Sequence, residues 1–277
     1  MNVPIVSKLG VAFLSLTSVY ALFLVVAARQ GKGLRESLTG FVKEGFDSFF
    51  RNNLLVTVIS TGFLVFTASV VDLVETSAGV PVGGISGDPM QLIVGFSIAP
   101  LREELGFRVL LIGVTAFMIA LGRPVKDVLR AVWRPSVLYE GKEAEYFVKP
   151  MLAVILAVSS VAFGAVHVLA GGGWDIGKLP EAAYAGLILG YLYIRYGFHV
   201  AVLVHWGVDY LGSVYALFGQ GAYGIPWTSA VPFVAQQVVT ADLLLLLGPA
   251  CTILVGYRLM LIAASRSARV SQLAPTS

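Results

Sequence analysis

Seven stretches of the chain are long and mostly apolar, and no other property limits the fold so tightly. About 20 apolar residues cross the ~30 Å hydrocarbon core of a bilayer as a helix. The stretches run from Leu9 to Ala28, Leu54 to Val74, Met90 to Leu121, Met151 to Ala170, Glu181 to Tyr196, Phe198 to Phe218, and Val238 to Ala264. Their helical length predicts an all-α, polytopic transmembrane bundle. The third stretch exceeds one crossing and contains Pro100, Arg102, Glu103, Glu104 and Arg108, so it predicts either a short apolar lead-in before a span or one kinked helix. The expected count is therefore seven to eight.

Composition agrees. Hydrophobic residues make up 57% of the chain and charged residues 13%, against roughly 25% charge in a soluble domain. Disorder, a nucleic-acid partner and an ordinary cytoplasmic enzyme are all disfavoured. Cys251 is the single cysteine, which excludes an intramolecular disulfide and a cysteine zinc cluster. The first stretch follows Lys8 and lacks a small-x-small cleavage pattern, so it reads as a span rather than a signal peptide.

The connections orient the bundle, because cytoplasmic loops retain Lys and Arg. Residues 29 to 53 carry Arg29, Lys32, Arg35, Lys43 and Arg51, and residues 122 to 150 carry Arg123, Lys126, Arg130, Arg134, Lys142 and Lys149. With seven alternating spans, Arg195, Arg266 and Arg269 join them, while the other side receives only Lys8 and Lys178. The N-terminus is expected outside and the C-terminus in the cytoplasm. Two of the basic connections have helical amphipathicity and are expected at the membrane interface or against the base of the bundle. One contains Leu34, Leu38, Phe41, Val42, Phe46, Phe49 and Phe50; the other contains Val125, Val128, Leu129, Val132 and Trp133 after Pro124. Ala182, Gly186 and Gly190 form a small-residue stripe that permits close helix packing. Residues 1–264 are expected to form one membrane domain, with 265–277 as a short mobile tail.

Three spans hold ionisable groups, each costing ~2.5–3.5 kcal/mol at the bilayer centre on insertion scales unless partnered. In the segment from Pro100 to Arg108, Glu104 and Arg108 are an i,i+4 pair, while Glu103 points about a quarter turn away with Phe107 at its own i+4 position. His167 stands alone one turn after Phe163, and His205 shares a helix face with Asp209. Each has a structural explanation: a self-neutralising ion pair, a packed histidine, an internal His–Asp hydrogen bond. His199, beside Gly197, is read as structural. Together, however, the six groups at 103, 104, 108, 167, 205 and 209 carry a penalty on the order of 10 kcal/mol unless they face one another across a polar cavity. Convergence on an active site between residues 100 and 210 is expected.

In this order the motifs, EExxxR at Glu103, Glu104 and Arg108, FxxxH at Phe163 and His167, and HxxxD at His205 and Asp209, resemble those of the CPBP family. These are intramembrane endopeptidases that include the type II CAAX prenyl proteases, their prokaryotic relatives and the bacteriocin-processing and immunity proteins. The resemblance implies a glutamate-dependent, metal-independent protease with no cofactor, acting on a membrane-anchored or lipidated peptide in the lipid bilayer. It gives Glu103 the role of general base, sharing its water with His167. His205 with Asp209 would serve the oxyanion, and Glu104, Arg108 and Phe163 would support them. Asp209 departs from the Asn of the CAAX prenyl proteases; an ionised carboxylate cannot donate to an oxyanion, so an orienting role toward His205 is expected. The competing readings are a zinc-dependent membrane protease, and a proton-linked transporter or scaffold without proteolysis. Depth is a check: at 1.5 Å per residue His167 and Glu103 lie about 24 and 27 Å from the cytoplasmic ends of their helices, but His205 only about 10 Å into its own. Agreement requires the short preceding span, Glu181 to Tyr196, to leave the hairpin turn sunk below the membrane surface.

Overall fold

A computed structural model describes residues 5–85, 87–139, 144–170, 172–224 and 239–273. Among them the chain is helical, without a strand; two isolated bridges join Gly31 to Asn52 and Gly83 to Trp174. The long helices are α1 (Ile5–Arg29), α4 (Asn53–Ser77), α5 (Pro89–Glu104), α8 (Lys149–Leu169), α9 (Lys178–Tyr196), α10 (Phe198–Tyr223) and α11 (Val239–Leu273). The short ones are α2 (Leu34–Thr39), α3 (Phe41–Glu44), α6 (Val114–Ala120) and α7 (Val125–Trp133). By length and apolarity, Asn53–Ser77, Ala144–Leu169 and Leu247–Ser265 can each cross a membrane, and Phe13–Arg29 is a shorter apolar helix. The protein is an integral membrane protein. Helices α5 and α9 are less apolar than these because Arg102, Glu103 and Glu104 lie in the first and Lys178, Glu181 and Arg195 in the second.

The over-long third stretch is one continuous helical run. Asp88 caps it by accepting from the Gln91 amide, with Pro89 in the first turn. Past Pro100 the run widens into a π-helix over Leu105–Gly113 and then tightens into α6. Such widenings concentrate at functional sites, and here it comes directly after the two glutamates.

The first amphipathic connection is not a single helix. Gly40 separates α2 from α3, and Gly45, at φ 63° in the left-handed region, turns the chain into a 3-10 helix over Gly45–Arg51. Its Phe41, Phe46 and Phe49 rings cluster with centroids 4.9 to 6.0 Å apart. The connection also docks on the bundle, since Arg258 of α11 donates to Asp47 at 2.8 Å. The second amphipathic connection forms α7 as expected. At the other terminus helix α11 continues past Ala264 to Leu273, where a tail had been expected; residues 274–277 lie outside the described residues.

Helices α8 and α9 pack closely along the predicted small-residue stripe. A Cβ on Gly186 would lie 3.2 Å from the Ser160 Cα, and one on Gly164 would lie 2.5 Å from the Leu179 carbonyl oxygen. The α9–α10 turn at Gly197 (φ 107°) is buried rather than superficial: Tyr193, Phe198, His199 and Val200 to Val204 are all in the core. Helix α7 lies over this turn, with Trp133 stacked on His199 at 5.6 Å and the Tyr193 hydroxyl donating to the Val132 carbonyl. This cover buries the start of the helix that carries His205.

Candidate active site

The three motifs meet. Helix α5 brings Glu103 and Glu104, the π-helix brings Arg108, α8 brings Phe163 and His167, and α10 brings His205 and Asp209. The roughly quarter-turn between the two glutamates gives them different surroundings. Glu104 is fully buried and its Oε2 lies 3.1 Å from Nε of the equally buried Arg108. Its other oxygen accepts from His205 Nδ1 at 2.9 Å across the bundle. Glu103, one-fifth exposed, points into the space between α8 and α10. Its Oε2 lies 4.0 Å from His167 Nε2 and 3.8 Å from His205 Nε2, and its Oε1 is 3.4 Å from the exposed Arg102.

Those two gaps are too long for direct hydrogen bonds and suited to a shared water. An oxygen 2.8 Å from both ends of either gap would make an angle of roughly 90° at the water, a workable donor–acceptor arrangement. His167 is prepared for this: its Nδ1 faces the Phe163 carbonyl oxygen at 2.7 Å, so Nδ1 carries the proton and Nε2 is the acceptor. Phe163 is the common wall. Its ring lies 4.6 Å from the His167 ring, 5.7 Å from the His205 ring and 4.5 Å from the Arg108 guanidinium carbon. The guanidinium thus pairs with Glu104 on one side and an aromatic face on another, while its nitrogens find no aligned hydrogen-bond acceptor among the described residues.

Asp209 is at the edge of the group, with Oδ2 3.6 Å from His205 Nε2. The short orienting bond to the His205 ring comes from Glu104, a contact between residues 101 positions apart that no local spacing could have announced. Ser159 is a residue the sequence did not single out. Its hydroxyl donates to the Phe107 carbonyl at 2.8 Å, tying α8 to the widened turn that carries Arg108. His199 stays apart, buried with its Nε2 3.3 Å from Asn53 Nδ2.

Residues 86–211, the segment containing every motif residue, match a family model described as Rce1-like, type II CAAX prenyl endopeptidase Rce1-like. The likeness is confined to this segment, a little under half of the chain. Comparisons with curated proteins and with solved structures gave no match. The matched segment extends from residue 86 through α5 to α9 and into α10, and leaves α1 to α4 and α11 outside it. Among the described residues no three His, Cys, Asp or Glu side chains are grouped so as to hold a metal ion.

Proposed function

We propose that the protein is an intramembrane endopeptidase that cleaves a membrane-associated or lipidated peptide through water activated by Glu103. The observation that carries this is the convergence of two imidazole nitrogens, from two different helices, on one glutamate oxygen at 3.8 and 4.0 Å. A water in that space would give a proton to Glu103 as its oxygen adds to the scissile carbonyl. His167 Nε2, its tautomer fixed by the Phe163 carbonyl, would hold the same water in line. The proton on Glu103 then passes to the leaving amine as the carbon–nitrogen bond breaks.

The oxyanion of the tetrahedral intermediate falls to His205. With Nδ1–H engaged by Glu104, Nε2 can donate only when the ring carries both protons, so the doubly protonated ring is the form that serves. A donor of this kind typically contributes a few kcal/mol to the barrier. Glu104 then acts as the group that aims His205, Arg108 balances the buried carboxylate, and Asp209 adds negative charge beside Nε2. The chain needs no metal in this scheme. The bundle crosses the membrane seven to eight times in this reading, with the N-terminus outside and the C-terminus cytoplasmic. Supporting that orientation, Arg123, Lys126, Arg130 and Arg134 line the same cavity as Gln30 at the end of α1.

Cleavage of a lipidated reporter peptide by detergent-purified protein tests the proposal. Glu103→Gln is expected to lower the rate by about 10²–10⁴-fold, the usual weight of a general base, and a chelator is expected to leave it unchanged. Full cleavage by Glu103→Gln, or loss of activity on chelation restored by zinc, would overturn it.

A further inference from the structure

Residues of α7 and the end of α1 line an open cavity of about 1110 Å³ that includes none of the residues around the glutamates. Its lining includes four cations, Arg123, Lys126, Arg130 and Arg134, and one acid, Asp127, which Arg130 already engages at 3.4 Å. Gln30 supplies a neutral donor. Its Oε1 accepts from Asn53 Nδ2 at 3.0 Å, which leaves the Gln30 amide N–H groups available to the cavity. Asn53 is buried and also donates to the Tyr196 carbonyl, so Gln30 is held from behind by the core.

The cavity is thus rich in donors and carries an excess of positive charge. Its second property is apolar. Val125 and Leu129 line it and are 75% and 65% exposed, with the Trp133 ring at the rim. A soluble anion has no use for exposed aliphatic side chains beside its donors. A phospholipid does, because its headgroup phosphate and its acyl chains lie a few ångströms apart at the same interface.

We propose that this cavity binds the headgroup of an anionic phospholipid, with Arg123, Lys126, Arg130, Arg134 and Gln30 donating to the phosphate and Val125 and Leu129 lying against the acyl chains. The site is separate from the glutamate centre, and it rests on the membrane setting of the chain and not on the proteolytic mechanism. Occupied, it would fasten α7 over the buried α9–α10 turn.

The test measures binding of a fluorescent short-chain phosphatidylglycerol to the detergent-purified full chain, with phosphatidylcholine of the same chain length as the reference. Phosphatidylglycerol is expected to bind more tightly. Lys126→Gln, Arg130→Gln and Arg134→Gln should each weaken it about fivefold, the weight of one basic side chain beside an anionic lipid, with a smaller loss for zwitterionic phosphatidylcholine and no change in the unfolding midpoint. Val125→Ser with Leu129→Ser should weaken both lipids, a result that a headgroup-only site would not give. Equal binding of the two lipids, affinity unchanged in the Lys126, Arg130 and Arg134 variants, or displacement of the lipid by equimolar inorganic phosphate or acidic peptide would each overturn the proposal.

Discussion

Glu103 and Glu104 are chemically identical and adjacent, yet one is sealed against Arg108 and the other is one-fifth exposed, so the same substitution at each should fail in different ways. Glu104→Gln removes the counter-charge of a guanidinium that is wholly buried and, among the described residues, has no other carboxylate in salt-bridge reach. Breaking a buried pair by deleting one partner costs about 3–5 kcal/mol, since the remaining charge is left uncompensated. For a chain of this size about 2–4 °C accompanies each kcal/mol, so the midpoint should fall by roughly 6–20 °C. Glu103→Gln touches no bond of that kind. The one ion pair of Glu103 inside 3.5 Å is with Arg102, itself 75% exposed, an arrangement worth about 0–1 kcal/mol. Its midpoint should move by no more than a few degrees while cleavage is lost. Thermal unfolding in detergent, followed by intrinsic fluorescence beside the peptide-cleavage rate, separates the two. A further arm, Glu104→Gln with Arg108→Met, removes both buried charges and should recover much of the lost stability. Equal midpoint losses for the two single variants, or a larger loss for Glu103→Gln, would refute the division of labour between the carboxylates.

Asp209→Asn should keep activity within about tenfold of the parent, because the His205 ring is aimed by Glu104 at 2.9 Å and not by Asp209 at 3.6 Å; kcat for the reporter peptide measures this, and a loss matching that of Glu103→Gln would contradict it. Gly164→Ala should destabilise the protein by about 1–3 kcal/mol, since its Cβ would stand 2.5 Å from a backbone oxygen of α9 that cannot rotate away. Gly190→Ala should cost less than that: the atom in its way, Leu156 Cδ1 at 2.3 Å, is the end of a side chain with other rotamers. Comparing the two unfolding midpoints checks both. Phe163→Leu should lower stability by about 1–3 kcal/mol through loss of the Arg108 and His167 ring contacts, and it should lower kcat more than it raises KM if that ring sets the position of both histidines.

Much of the fold was written in residue types whose physics is local. The apolar runs predicted helices because only closed backbone hydrogen bonding survives in hydrocarbon, and Asn52, Asp88 and Gly197 stand where helices begin or end. The small-residue stripe on α9 announced a close neighbour without naming it; α8 is that neighbour. What the pattern could not carry was the effect of one element on another. The amphipathic sequence from Leu34 to Phe50 has helical periodicity throughout, yet two glycines and the pull of Asp47 toward Arg258 break it into short turns.

The site shows the same limit more sharply. Spacing alone gave the Glu104–Arg108 pair and set His205 near Asp209, because both are contacts within one helix. It could not give the Glu104–His205 bond, which depends on how α5 and α10 pack. That bond changes the chemistry assigned to His205: a ring aimed by a buried, arginine-balanced carboxylate keeps its second nitrogen facing Glu103 whether or not position 209 is an acid. In the proposed mechanism the Asn-to-Asp difference at the last motif position would therefore bear on the charge around the water rather than on the aim of the His205 ring.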